Sequence, residues 1–150
     1  MNPDNGLFQI VYTSELCGDP TLRDDVLQSI SRCSQRNNPS NRVTGAMLVV
    51  GMRVIQVLEG PLSSLEPLLE RIQTDNRHDA MEELYRSSST VRAFPDWVMR
   101  VGAVDASAPD ADKIRIILDA YRHTFRFDLK DYVDIAHRQL GIRRAAAGSI

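Results

Sequence analysis

The sequence predicts an α+β fold: a ferredoxin-like βαββαββ sandwich with two helices on one sheet face, followed by a C-terminal helix pair. Three observations lead there. Runs rich in β-formers alternate with segments of helical spacing, in the order βαββαββ, up to about residue 104. Two of those runs are separated only by Gly51-Met52, a hairpin signal. From Ser107 onward the pattern becomes purely helical. Two βαβ units side by side place both crossover helices on one face of an open sheet. The other face must then be covered by the terminal helix pair or by another subunit.

The first strand is residues 7–12, Leu-Phe-Gln-Ile-Val-Tyr, closed by Thr13-Ser14. After the turn Gly18-Asp19-Pro20, Thr21 and Asp24 form a variant capping pattern. Leu22, Val26, Leu27, Ile30 and Cys33 then carry a helix to about Arg36, and Asn37-Asn38-Pro39-Ser40-Asn41 is predicted as a loop. Residues 43–50 and 53–59 form the hairpin. Ser63-Ser64-Leu65-Glu66 opens a second helix with Leu65, Leu68, Leu69 and Ile72 on one face, and Pro67 is expected in its first turn. Strands at 83–88 and 97–104 complete the sheet. Asp110 and Asp112 then mark a helix start, with Ile114, Ile117, Leu118 and Tyr121 as its apolar stripe. A last helix begins near Asp128, carries Leu129, Tyr132, Val133, Ala136 and Leu140, and stops at Gly141. The tail 143–150 is expected to fray.

Composition removes several function classes. A net charge of −2 argues against a nucleic-acid binder, which carries a basic patch or stripe. Cys17 and Cys33 are isolated, and His78, His123 and His137 form no ligand cluster, so neither a disulfide nor a metal centre is expected. Met1-Asn2-Pro3-Asp4 lacks a basic n-region and an apolar h-region, which predicts no signal peptide. No apolar run approaches the roughly 20 residues needed to cross a bilayer. A cytoplasmic protein is the expectation.

A few residues sit uneasily in an ordinary core. Strand alternation puts Val54, Gln56 and Leu58 on one face, with the Gln56 amide between apolar neighbours. An unpaired buried amide costs roughly 1–3 kcal/mol, so a partner is required. Tyr12, at the end of the first strand and beside the third, is one candidate. Such a pair is compatible with a purely structural hydrogen bond. Asn37 and Asn38 suit ordinary turn chemistry. Arg71, Asp75, Arg77 and His78 suit a solvated helix C-terminus. Trp97 and Met99, expected on one strand face, suit a core. The residues alone leave these readings open.

Their joint occurrence resembles the BLUF family, blue-light sensors using flavin adenine dinucleotide, across roughly residues 6–104. The matching stretches are Ile10-Val11-Tyr12-Thr13-Ser14, Ser34-Gln35-Arg36-Asn37-Asn38-Pro39, Val43-Thr44-Gly45, Ile55-Gln56-Val57-Leu58-Glu59-Gly60, Arg71 through His78, and Phe94-Pro95-Asp96-Trp97-Val98-Met99. The resemblance implies FAD as cofactor, with Tyr12 as light-driven electron and proton donor and Gln56 as the amide relaying to the flavin. It implies that Asn38, helped by Asn37, holds the imide edge and that Ile30 and Ile72 sandwich the ring. Arg71, Asp75, Arg77 and His78 would surround the pyrimidine edge, ribityl chain and phosphates. Ser34, Trp97 and Met99 match positions associated with signalling. Val54 stands where the family often has an aromatic residue, and Val43 where Ile is common.

The resemblance also implies a photoreceptor rather than an enzyme, divided into a flavin-binding domain at 1–105 and a C-terminal helical extension at 106–150. Nothing beyond residue 105 resembles a cyclase, phosphodiesterase or DNA-binding output domain. The message is therefore expected to reach a partner protein of unknown identity through the C-terminal helices, whose apolar stripes also suggest a homo-oligomer. Two rival readings are a cofactor-free ferredoxin-like interaction module and a flavin-dependent redox enzyme. The second lacks a substrate-side base, a catalytic thiol and a nicotinamide-binding glycine motif.

Overall fold

The computed structural model describes residues 6–141. The elements run β1 (Leu7–Leu16), α1 (Arg23–Asn41), β2 (Thr44–Val50), β3 (Arg53–Pro61), α2 (Leu62–Gln73), β4 (His78–Ser88), β5 (Arg100–Val104), α3 (Pro109–Thr124) and α4 (Leu129–Ala136). A π-helical turn, His137–Gly141, follows α4. The strands form one five-stranded sheet in the order β4-β1-β3-β2-β5, with β5 parallel to β2 and every other pair antiparallel. This is the predicted ferredoxin-like α+β arrangement, with one strand added beside β2. The expected fraying of 143–150 lies outside the described residues.

Strand alternation sorts the core into two layers. Ile10, Tyr12 and Leu58 pack against Leu65 and Leu69 of α2, while Met47, Val49 and Val54 pack against Leu27 of α1. On the reverse face, Val11, Ala46, Leu48, Ile55 and Val57 meet Ile114 and Ile117 of α3 and Tyr132, Ile135 and Ala136 of α4. The terminal helices thus cover the chain's own sheet. Tyr132 is fully buried, and its hydroxyl donates to the Ile55 carbonyl at 2.7 Å. Asp110 at the start of α3 accepts from Arg138 Nε and Nη2 (3.0 and 2.7 Å) and from Gln139 (2.7 Å), tying α3 to the π turn. Hydrogen bonds from Arg138 hold the Asp110 carboxyl below the usual carboxylate range.

Within residues 7–88, five features differ from expectation. The Tyr12 position is mid-strand, because β1 continues through Thr13 and Ser14, whose buried hydroxyls find the Val54 carbonyl and His78. Asp19, not Thr21, is the capping residue: its carboxylate accepts from Thr21 N at 3.0 Å and closes a single 3-10 turn leading into α1. Helix α2 begins at Leu62, so Pro67 lies beyond the first turn and removes one internal hydrogen bond. The fourth strand begins at His78; bulges opposite Val11/Tyr12 and Thr13/Glu15 break the period-two pattern of this polar edge strand.

The fifth difference concerns residues 37–41, which are not a loop. Helix α1 runs to Asn41 with Pro39 in its last turn, and Arg42 closes it in the left-handed region (φ 57°). Tertiary contacts outweigh the turn propensities there. Asn38 Nδ2 donates to the Val98 carbonyl at 3.3 Å, and Val43 N donates to the Asn38 carbonyl at 3.0 Å.

Candidate functional site

The sheet register places Tyr12 directly opposite Gln56, and Gln56 directly opposite Met47. The Tyr12 hydroxyl donates to Gln56 Oε1, and Gln56 Nε2 donates to Met99 Sδ at 3.2 Å. Both residues are almost fully buried. The unexplained amide therefore has two partners, one strong and one weak, since thioether sulfur is a poor acceptor.

Above this floor, two helical stripes form the walls of a cleft. On α1, Ile30, Cys33, Ser34, Asn37 and Asn38 follow spacing that keeps them on one face, and all line the cleft. That stripe exists because the helix continues through Asn41; a loop at 37–41 would break it. On α2, Leu68, Arg71 and Ile72 form the opposing stripe, extended past the helix end by Asp75. The cleft holds a cavity of about 120 Å³ and is open at its mouth. Tyr12, Gln56 and Met47 form its floor, and Arg77 and His78 its far end.

Electrostatics divide the cleft. Arg77 donates through Nε to both Asp75 oxygens (3.0 and 2.9 Å), through Nη2 to Asp75 Oδ2, and through Nη1 to Ser29 of α1 at 2.9 Å. These bonds hold Asp75 below the usual carboxylate range and raise Arg77 in return. His78 joins β1 to α2: Nε2 lies 3.1 Å from the Ile72 carbonyl and Nδ1 lies 2.8 Å from Ser14 Oγ. A carbonyl only accepts, so Nε2 carries the proton and Nδ1 accepts from Ser14. Burial, ahead of the opposing pull of Asp75, lowers the His78 pKa. Burial pushes the Tyr12 hydroxyl far above the ordinary tyrosine range, with Asp75 adding to the effect and Arg77 opposing it.

This donor set fits a flat heteroaromatic ring with an imide edge and an anionic tail, which is the chemistry of a flavin. Apolar side chains from two helices face each other across the slot, two buried amides stand at its inner end, and Arg71 and Arg77 stand toward the far side. Among the described residues, no group of acidic, His and Cys side chains could hold a metal ion. No helix among them is long and apolar enough to cross a membrane.

Every residue singled out from the sequence as cofactor-binding lines this cleft, and Ser34 does too. Cys33, Met47 and Leu68 also line it and were missed. Their signal was present: Cys33 and Leu68 share the helical stripes of Ile30 and Ile72, and Met47 sits opposite Gln56. Trp97 and Met99 require correction. They precede β5 in irregular chain, and they do not share a face. Met99 belongs to the cluster with Tyr12 and Leu58, whereas Trp97 belongs to the cluster of the terminal helices. The segment stays irregular because its carbonyls are taken by other elements: Trp97 O by Gly45 N (3.0 Å), Val98 O by Asn38, and Met99 O by Gln35 Nε2 (3.2 Å).

Comparison with known proteins agrees with this geometry. The profile described as "Sensors of blue-light using FAD" matches residues 7–100. The chain is 31% identical over 97 residues to photoactivated adenylate cyclase subunit beta of Euglena gracilis, covering 64% of this chain and 11% of that protein. It thus spans about a tenth of the length of the curated relatives it matches. Among solved structures, BlrB, a BLUF protein in its dark state, superposes with TM-score 0.60 at 26% identity, covering 97% of this chain and 98% of that one. A bacterial light-regulated adenylyl cyclase superposes with TM-score 0.65 at 27% identity, over 79% of this chain and 34% of the other. By its fold, its cleft and the match of its sequence over residues 7–100, the chain belongs to the BLUF family of blue-light photoreceptor domains.

Proposed function

We propose that this chain binds FAD between α1 and α2 and acts as a blue-light switch whose photoactive pair is Tyr12 and Gln56. The observation that supports it best is the relay from the Tyr12 hydroxyl through the Gln56 amide to Met99, at the floor of an apolar slot. Ile30 and Ile72 sandwich the ring, Asn38 and its helper Asn37 hold the imide edge, and Arg71, Asp75, Arg77 and His78 surround the ribityl chain and phosphates. When bound, the flavin supplies absorption of blue light and, once excited, an oxidising centre beside a phenol.

The chain's contribution is a proton held at Tyr12 Oη and an amide able to adopt two bonded states. Burial keeps the phenol protonated and donating to Gln56 Oε1. Rotation or tautomerisation of Gln56 replaces that arrangement and gives up the weak bond to Met99 Sδ. Light acts only through the differential stability of two such states. Met99 lies on the cleft side of the segment before β5 and Trp97 on the helix side, so a shift of that segment changes the docking of residues 109–141. Ser34, Trp97 and Met99 serve this signalling step. Residues 1–105 act as the flavin-binding domain and 106–150 as the extension that addresses a partner protein, in a cytoplasmic homo-oligomer.

Absorption spectroscopy tests the reading. Protein purified with FAD should be yellow, shift to the red under blue light and recover in darkness. Tyr12→Phe should keep the flavin and lose the shift; a normal photocycle in that variant would overturn the assigned role.

A further inference from the structure

Glu59 is fully buried on β3, three residues beyond Gln56 and on the opposite sheet face. Its oxygens take four hydrogen bonds: from Gln9 Nε2 at 2.8 Å, Thr44 Oγ1 at 3.3 Å, Ala93 N at 2.6 Å and Phe94 N at 2.8 Å. A buried acid among neutral donors is tolerated only while those donors stay in place. Arg92 reinforces the arrangement, with Nη1 on Thr44 Oγ1 (2.8 Å) and on the Glu59 carbonyl (3.1 Å), and Nη2 on the Arg42 carbonyl (2.8 Å).

The segment 92–99 therefore has two differently attached ends. At Met99 the side chain takes the weak bond from Gln56, while the main chain is held by Gln35 on the Met99 carbonyl (3.2 Å) and by Asn38 on the Val98 carbonyl (3.3 Å). At 93–94 the attachment is the pair of backbone bonds to the Glu59 carboxylate. Between them Phe94 stacks on Trp97 with ring centroids 5.1 Å apart. Both rings face His137 of the π turn, at 5.0 and 4.8 Å, and His137 Nε2 lies 3.0 Å from the Ala93 carbonyl.

We propose that Glu59 is a positioning residue for the light output. It fixes residues 93–94, so that a displacement begun at Met99 is delivered to His137 and the π turn. Irregular chain without such an anchor absorbs a displacement in its own soft dihedrals. The proposal rests on the light-switch reading above and adds the route by which that switch reaches α4.

Hydrogen–deuterium exchange of the FAD-loaded chain, in darkness and under blue light, tests it with wild type, Glu59→Gln and His137→Phe. Glutamine keeps the shape but offers one acceptor oxygen in place of two. Phenylalanine at exposed position 137 keeps the ring stack and removes only the contact with Ala93. All three proteins should show the same red shift. Wild type should show a light–dark difference in exchange over residues 129–141, and both variants should lose most of it. If Glu59→Gln does not fold, His137→Phe decides alone. A light–dark difference that survives unchanged in the variants, even with a lower dark melting temperature, means a merely structural role and overturns the proposal. A wild type that shifts red with no exchange difference over 129–141 overturns it while leaving the light switch standing. Absence of any red shift in wild type defeats the light-switch reading itself, and this proposal with it.

Discussion

Tyr12 and Gln56 are direct cross-strand partners on β1 and β3, and the phenol of one donates to the amide oxygen of the other inside the core. A pair held by register, not by flexible loops, has a fixed geometry. Its energetics are measurable apart from light. Gln56→Leu leaves the Tyr12 hydroxyl without its acceptor and should cost about 1–3 kcal/mol. In a double-mutant cycle with Tyr12→Phe, urea denaturation should give a coupling of about 0.5–3 kcal/mol. Strict additivity would mean that the two side chains do not interact in solution.

His78 makes stability depend on pH. Burial depresses its folded-state pKa below the ordinary 6.5, so its neutral form is the one the fold favours. Its contribution is fully present above that value and is lost as pH falls through the folded value. Below it, a proton on Nδ1 displaces the bond from Ser14 and loosens the link between β1 and α2. Melting temperature should therefore fall as pH drops below 6.5 in wild type, and more shallowly in His78→Asn. Equal slopes in the two proteins would exclude His78 as the titrating group.

Asp75 titrates with the same sense at lower pH. Hydrogen bonds from Arg77 depress it below 3.8, so its stabilising effect is present above that value and lost as pH falls through the folded one. The pair is partly exposed, which limits its worth to under about 1 kcal/mol. Asp75→Asn should narrow the gap to wild type in urea midpoint as pH drops below 3.8. The same variant removes the negative charge that raises Tyr12, so the phenol should titrate at lower pH.

Gly45 is required by close approach, not by its backbone angles. A β-carbon there would lie 2.1 Å from the Val57 carbonyl oxygen and 3.2 Å from Met99 Cε. Gly45→Ala should destabilise the protein by at least about 2 kcal/mol through overpacking. Calorimetry checks the loss; an unchanged melting temperature would contradict the packing described at the β2–β3 contact.

How much of this was legible beforehand varies by residue. Alternation placed Gln56 between Val54 and Leu58 on an inward face, and the topology put Tyr12's strand beside it; both hold, and they locate the site. Helical spacing alone named Ile30 and Ile72 as inward residues. The helical placement of Asn38 was hidden because Asn-Asn-Pro-Ser-Asn has strong local turn chemistry. The side chain's bond to the Val98 carbonyl, far away in sequence, tips that stretch into helix. Trp97 and Met99 misled for a related reason: period two assumes an extended chain, and bonds from Gly45, Gln35 and Asn38 hold theirs irregular.

The sequence by itself determined the order of elements, the inward faces of the strands and helices, and the family, because hydrophobic periodicity and motif spacing are local properties. The tertiary structure alone decided where α1 ends, that Met99 and Trp97 look to opposite sides of the sheet, and that Glu59 pins residues 93–94. Each of those depends on hydrogen bonds between residues dozens of positions apart. Local propensity carries no record of such bonds, yet burial makes them strong enough to override it.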